Sequence, residues 1–274
     1  MNPVTSFFRS GQSGPLHGSG GEMCTTVVSI DPHSAVPVLL IGVRDEFLDR
    51  PWLPPGRRWP HRPELVGGQD LQALGTWLAV NPQVPRVACV LNAHGEPAAQ
   101  SRRLTRGELP LRLAADGEAG DLDITRYDPF HLVWATPQSV RLWSWNGATL
   151  DERALHAGLH IIVNSGLEGA DESEGPGAAQ MRARIEYFRP LLEKAPRPEP
   201  REGAVESAWG EWLPLVSGAG LDVADARALV LRRSIEAKQW GTSSLSLVAL
   251  TRTGARYDFC GDPAEARPVW SRVL

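Results

Sequence analysis

Apolar positions along this chain fall into short runs that suit strands better than long helical stripes. "CTTVVSI", starting at Cys24, is β-branched and predicts a strand. "DPHSA" reads as a turn. "VPVLLIGVRDE" does not alternate, which predicts a second strand covered on both faces and paired with the first as a hairpin. Asp49 to Asp70 carries five prolines and predicts an irregular surface loop. "GTWLAV" and "RVACVLNA", separated by "NPQVP", predict another pair. "FHLVWATP" with "SVRLWSWNG" predicts a hairpin, and "LHIIVN" a further strand. "SLSLVALTRTGARYDFCG" predicts a late hairpin turning at Thr253-Gly254.

Helical spacing is confined to the middle of the chain. "LTRGELPLRLAADG" (104–117) has Thr105 as a candidate N-cap and Glu108 three residues on, the spacing of a capping box. A helix is predicted from Ala178 to Lys194, and another in "AVESAWGEWLPLV", interrupted near Pro214. The proline-spaced "PRPEPREG" (196–203) lies between these helices and reads as a linker inside one unit, not a domain boundary. Strands first, helices in the middle and a strand pair at the end predict an α+β fold of antiparallel sheets with helices packed outside. The expected organisation is one domain over 23–274. Residues 1–22 are Gly- and Ser-rich and lack the apolar segment of a secretory signal, so they read as a disordered leader or a misassigned translation start.

Composition narrows the function classes. The formal charge of -4 over 274 residues argues against a nucleic-acid partner. The longest apolar run, "AVPVLLIGV", is too short for the roughly 20 residues of a membrane span. Cys24, Cys89 and Cys260 form no CxxC pair and have no histidines at zinc spacing. No metal or cofactor is therefore expected, and a reducing, cytoplasmic setting is. The expected partner is a small-molecule substrate or ligand, and no feature of the sequence specifies an oligomeric state.

The chemistry centres on Met23-Cys24, which looks like a chain start inside the chain. If Cys24 were the first residue, its thiol would be a nucleophile and its own α-amine the base. A free amine near 7.7–8.0 and a free thiol near 8.5 are nearly matched for that proton transfer. An amine locked in a peptide bond cannot do this. The bland alternative for Cys24 is a small buried hydrophobe at a strand end. Twenty residues on, Val43-Arg44-Asp45-Glu46 ends the second strand. Arg44 there is suited to lower a thiol pKa, and Asp45 to hold an α-amine; the alternative is an exposed charge cluster.

The ordered blocks "MCTTVVSIDP", "LLIGVRDEFLDRP", "ELVGGQDLQALGTWLAVN", "VLNAHG" and "TRGELP" resemble the NRDE family, whose eukaryotic members are the transport and Golgi organisation 2 proteins. "YDPFHLVWAT" and "IIVNSGLE" resemble its later segments. The resemblance implies an N-terminal-nucleophile hydrolase-like αββα sandwich of antiparallel sheets, similar in outline to the bile-salt and penicillin acylases. It also implies Cys24 as nucleophile, Arg44 and Asp45 beside it, and Asn92 and Asn164 as donors to an oxyanion. The activity so implied is hydrolysis of a non-peptide linear amide. Val43 departs from the family's Asn, and Leu74-Gly75 from its doubled Gly. Gly241-Thr242-Ser243-Ser244 lacks a late Arg, for which Arg232 or Arg233 are the available substitutes. The alternative function is a non-catalytic haem- or lipid-related binder on the same fold, with Trp52, Trp59 and Trp77 lining its pocket.

Overall fold

The computed structural model describes residues 24–118, 120–169 and 177–274; the predicted leader, residues 1–22, lies outside them. The chain opens with the expected hairpin, β1 (Thr25–Ile30) and β2 (Val38–Phe47). Val38 to Asp45 is buried throughout, as the unbroken apolar run required. The proline-rich stretch is a correction: it is not wholly irregular but contains β3 (Trp52–Gly56) and β4 (Val66–Asp70). β3 tolerates its prolines because it is an edge strand with a register shift between Leu53 and Gly56.

β5 (Leu78–Asn81) and β6 (Arg86–Asn92) pair as predicted. Thr105 does act as a cap, accepting from the Gly107 N–H, but it caps a 3-10 turn, Arg106–Glu108. The helix proper, α1 (Leu109–Asp116), starts later, with Pro110 in its first turn. The capping box does not close; Glu108 instead accepts from the Tyr127 hydroxyl at 3.4 Å. β7 (Phe130–Ala135) and β8 (Val140–Trp145) form their hairpin. β9 (Leu150–Leu155) was not expected, because as an exposed edge strand it has no apolar face to announce it. β10 (Gly158–Val163) and the short β11 (Gly166–Leu167) follow.

α2 (Ala178–Lys194) has the predicted bounds. The next helical stretch is two pieces, α3 (Val205–Trp209) and α4 (Trp212–Val216). The break falls at Gly210, whose φ of 49° ends α3, while Pro214 sits inside α4. The chain finishes with β12 (Arg232–Ile235), β13 (Lys238–Leu250), β14 (Ala255–Gly261) and β15 (Trp270–Arg272).

Among the described residues these strands make two antiparallel sheets. One runs β11-β10-β1-β2-β13-β14-β15, with β12 beside β13; the other runs β3 to β9 in sequence order. Strand alternation sorts the side chains into layers. Val28, Leu40 and Val248 face Leu78, Val87 and Val133 across the gap between the sheets. Their neighbours Val27, Leu39 and Leu247 face the other way, onto Met181 and Phe188 of α2 and onto Trp209 and Trp212. The second sheet turns Ala88 and Leu132 outward onto Leu109 and Leu113 of α1. The result is the expected αββα sandwich.

The segment read as a linker is pinned to the β1–β2 turn. Arg197 donates to Ser29 Oγ at 2.8 Å and to the Val36 carbonyl at 2.8 Å, and Ser34 donates to Glu199 at 2.6 Å. The strap therefore holds α2 and the first hairpin in one body of packing.

Candidate active site

β1 sits between β2 and β10. Thr25 pairs with Val43 on one side and with Val163 on the other. The next residues outward on the three strands are Cys24, Arg44 and Asn164, so register alone brings three of the sequence-predicted residues to one end of the sandwich. Alternation then fixes their directions. Thr26 points between the sheets, its hydroxyl 3.4 Å from Cys89 Sγ, and Cys24 shares that face and packs on the inter-sheet cluster. Thr25 points to the helix layer.

Half-buried Cys24 opens onto a cleft of about 160 Å³ between the sheets, lined also by Arg44, Glu46, Asp70, Trp77 and Asn92. Its thiol donates to the Asp45 carbonyl oxygen at 3.5 Å. Burial, and then the Asp45 charge, push this thiol well above the ordinary range.

Arg44 is buried and tightly held. It donates to Ser243 Oγ at 2.9 Å and to Asp70 Oδ2 at 3.0 Å, and its guanidinium lies 4.6 Å from the centre of the Trp77 ring. Asp70 also accepts from Arg50 at 2.6 Å and from the Gln72 and Ala73 N–H groups. Burial would lift the Asp70 carboxyl, but these donors, Arg50 foremost, hold it below the usual range. Trp52 packs edge-on behind Trp77 at 5.9 Å, whereas Trp59 packs on the outer cluster of the second sheet.

Asp45 points the opposite way, into the helix layer. Its Oδ1 accepts from Thr242 Oγ1 at 2.6 Å and its Oδ2 from Arg184 Nη1 at 3.4 Å. Burial pushes this carboxyl up, and Arg184 and Thr242 oppose the shift. Arg184 was missed by sequence reasoning. The available signal was its place in α2, where Ala178, Met181, Arg184, Ile185, Phe188 and Leu192 form the buried face and only one of the six is charged. Arg232 and Arg233, the substitutes offered by sequence, bond elsewhere: Arg232 to the Thr242 carbonyl at 2.6 Å and Arg233 to Gln180 at 2.9 Å. The Thr242–Ser243 segment reaches the site despite lacking an Arg, because a bulge between Thr242 and Ser244 sets Ser243 against Arg44.

Asn164 is fully buried and ties the sheets together. Its Nδ2 donates to the Asn92 carbonyl at 2.8 Å, and its own carbonyl lies 3.2 Å from His131 Nε2. His131 Nδ1 in turn lies 2.9 Å from Ser144 Oγ. Nothing in the spacing of the sequence pointed to His131; its position in an otherwise apolar strand was the clue. Among the described residues no group of three or more His, Cys, Asp or Glu is placed to hold a metal ion, and no helix is long and apolar enough to cross a membrane.

Residues 23–199, more than half of the chain, match the family model described as Transport and Golgi organisation 2. Among solved structures, the chain is similar to the Caenorhabditis elegans ortholog of N-acylethanolamine-hydrolyzing acid amidase, at 10% identity and a TM-score of 0.45 over 85% of this chain and 98% of that one. No curated protein matches the sequence.

Proposed function

The chain belongs to the transport and Golgi organisation 2 family, and from that premise we propose that it is a cysteine hydrolase of the N-terminal-nucleophile type, acting on a linear non-peptide amide. The observation that carries this reading is the convergence of Cys24, Arg44 and Asn164 on adjacent strands at one end of the sandwich, with Cys24, Arg44 and Asn92 of the other sheet lining the cleft and Asn164 buried behind it against the Asn92 carbonyl. Asp45 stands behind the thiol.

The mechanism requires residue 24 to carry a free α-amine. The amine takes the thiol proton, and the thiolate attacks the amide carbon. The carbonyl oxygen becomes an oxyanion. Asn164 spends one N–H on Asn92, and its second N–H is the donor this reading assigns to the oxyanion. The ammonium then protonates the leaving amine as the C–N bond breaks, leaving a thioester on Cys24. Water, deprotonated by the amine, hydrolyses the thioester and returns the thiol. With residue 24 inside a peptide bond, the raised thiol pKa has no matched base and the chemistry is off. Three free thiols suit a reducing, cytoplasmic setting.

Intact mass and N-terminal sequencing of protein purified from its host test the premise of the mechanism. A start at Cys24, with amide hydrolysis abolished by Cys24→Ala, is the expected result. Ligand binding that survives Cys24→Ala, in a protein that hydrolyses no amide, would replace the hydrolase by a haem- or lipid-related binder.

A further inference from the structure

Arg184 occupies an apolar position on α2 and is 1% exposed. Burying a guanidinium is costly unless it is paired. Its Nη1 donates to Thr25 Oγ1 at 2.7 Å and reaches Asp45 Oδ2 at 3.4 Å. Thr25 directly follows Cys24, and Asp45 directly follows Arg44, the residue beside Cys24 on β2. One nitrogen from the helix layer thus grips both strands that present the thiol.

We infer that Arg184 is a positioning residue for the Cys24 centre, clamping Thr25 to Asp45 and offsetting the Asp45 charge beside residue 24. The inference rests on reading Cys24 as the nucleophile. A carboxylate close to an amine holds it protonated, and a protonated amine cannot take the thiol proton. A cation paired with that carboxylate keeps the amine available as a base. Of the other charged groups around Asp45 none bonds its carboxylate, although the Arg233 charge also acts on it. Arg44 is paired with Asp70 and near Glu46, and Arg50 with both of those carboxylates. On β12, Arg232 is paired with Asp262 and Arg233 bonds Gln180. The Cys24 thiol itself completes the set.

The test compares wild type, Arg184→Gln and Arg184→Lys in host-purified full chain. Two pH profiles are read: amide hydrolysis and alkylation of Cys24 by iodoacetamide, quantified by peptide mass spectrometry. Arg184→Gln is expected to move the acid limb of kcat up by about one pH unit, a roughly tenfold loss below the limb, with KM little changed. The alkylation midpoint moves up as well, because a cation near the thiol is gone. Arg184→Lys keeps both limbs at the wild-type position. A folded Gln variant with unshifted limbs overturns the inference. If wild type hydrolyses no amide, or Cys24→Ala retains hydrolysis, the nucleophile reading fails, while the alkylation midpoint still judges Arg184. Should the Gln variant not fold, Thr25→Val keeps the charge pair but opens the clamp. Lower kcat with an unshifted limb then supports the inference, and unchanged kcat overturns it.

Discussion

Asn164 Nδ2 donates to the Asn92 carbonyl oxygen at 2.8 Å, joining one sheet to the other beside the Cys24 thiol. Removing the donor takes away a part-buried bond that joins the two sheets. Asn164→Ala should therefore lower stability by about 1–3 kcal/mol in urea unfolding. On the proposed hydrolase reading it should also reduce kcat by about 10²–10³. A variant that loses stability but keeps full kcat would take Asn164 out of the oxyanion site.

Thiol reactivity should depend on what precedes residue 24. Burial lifts Cys89 and Cys260 to about 11 each, and lifts Cys24 further, with Asp45 adding to it. With residue 24 inside a peptide bond, iodoacetamide at pH 7 should label all three slowly, the rates rising about tenfold per pH unit. With Cys24 as first residue, its peptide should become the fastest to label, since only it gains an adjacent base. Equal rates in the two forms would argue that the amine does not reach the thiol.

Asp70 links stability to pH with a definite sign. Its folded pKa is held below the ordinary 3.8, so its contribution is present above that value and is lost as pH falls through the depressed one. Asp70→Asn should cost about 2 kcal/mol near pH 7, by leaving Arg44 and Arg50 with only the more distant Glu46 carboxylate, and much less near pH 2. Urea midpoints at the two pH values read this directly; a cost independent of pH would contradict it.

Two glycines give a matched pair of steric tests. A Cβ on Gly75 would lie 2.5 Å from the backbone carbonyl carbon of Gly107, where little can give. One on Gly42 would lie 3.3 Å from Leu78 Cδ1, a side-chain tip. Gly75→Ala should lower stability by about 2 kcal/mol or more and disturb the cleft wall, and Gly42→Ala by about 1 kcal/mol or less. Thermal melts of both variants should rank them in that order.

The strands of this protein were legible where burial wrote a pattern. β2 declared itself by eight buried positions in a row, and α2 by its apolar face. β9 was silent because five of its six residues face solvent, and β3 was masked by prolines that an edge position tolerates. In the site, Cys24, Arg44 and Asp45 could be found because they sit on a hairpin, where neighbours in space are near in sequence. Arg184, Thr242 and His131 come from elements packed on from far along the chain. Sequence distance hides such partners unless a charged or polar residue on an apolar face gives them away.

The bond between Arg44 and Ser243 spans 199 residues, and it has a consequence for biosynthesis. During translation β2 acquires β1 at once, but its other edge waits for β13. At about 5–20 residues per second, the nascent chain carries that open apolar edge for roughly 10–40 s. An unpaired strand edge is a template for aggregation. Cellular yield of this protein should thus hinge on chaperone supply while the ribosome makes the long stretch between β2 and β13, and a product stopped before Lys238 would leave Arg44 without Ser243 and Asp45 without Thr242.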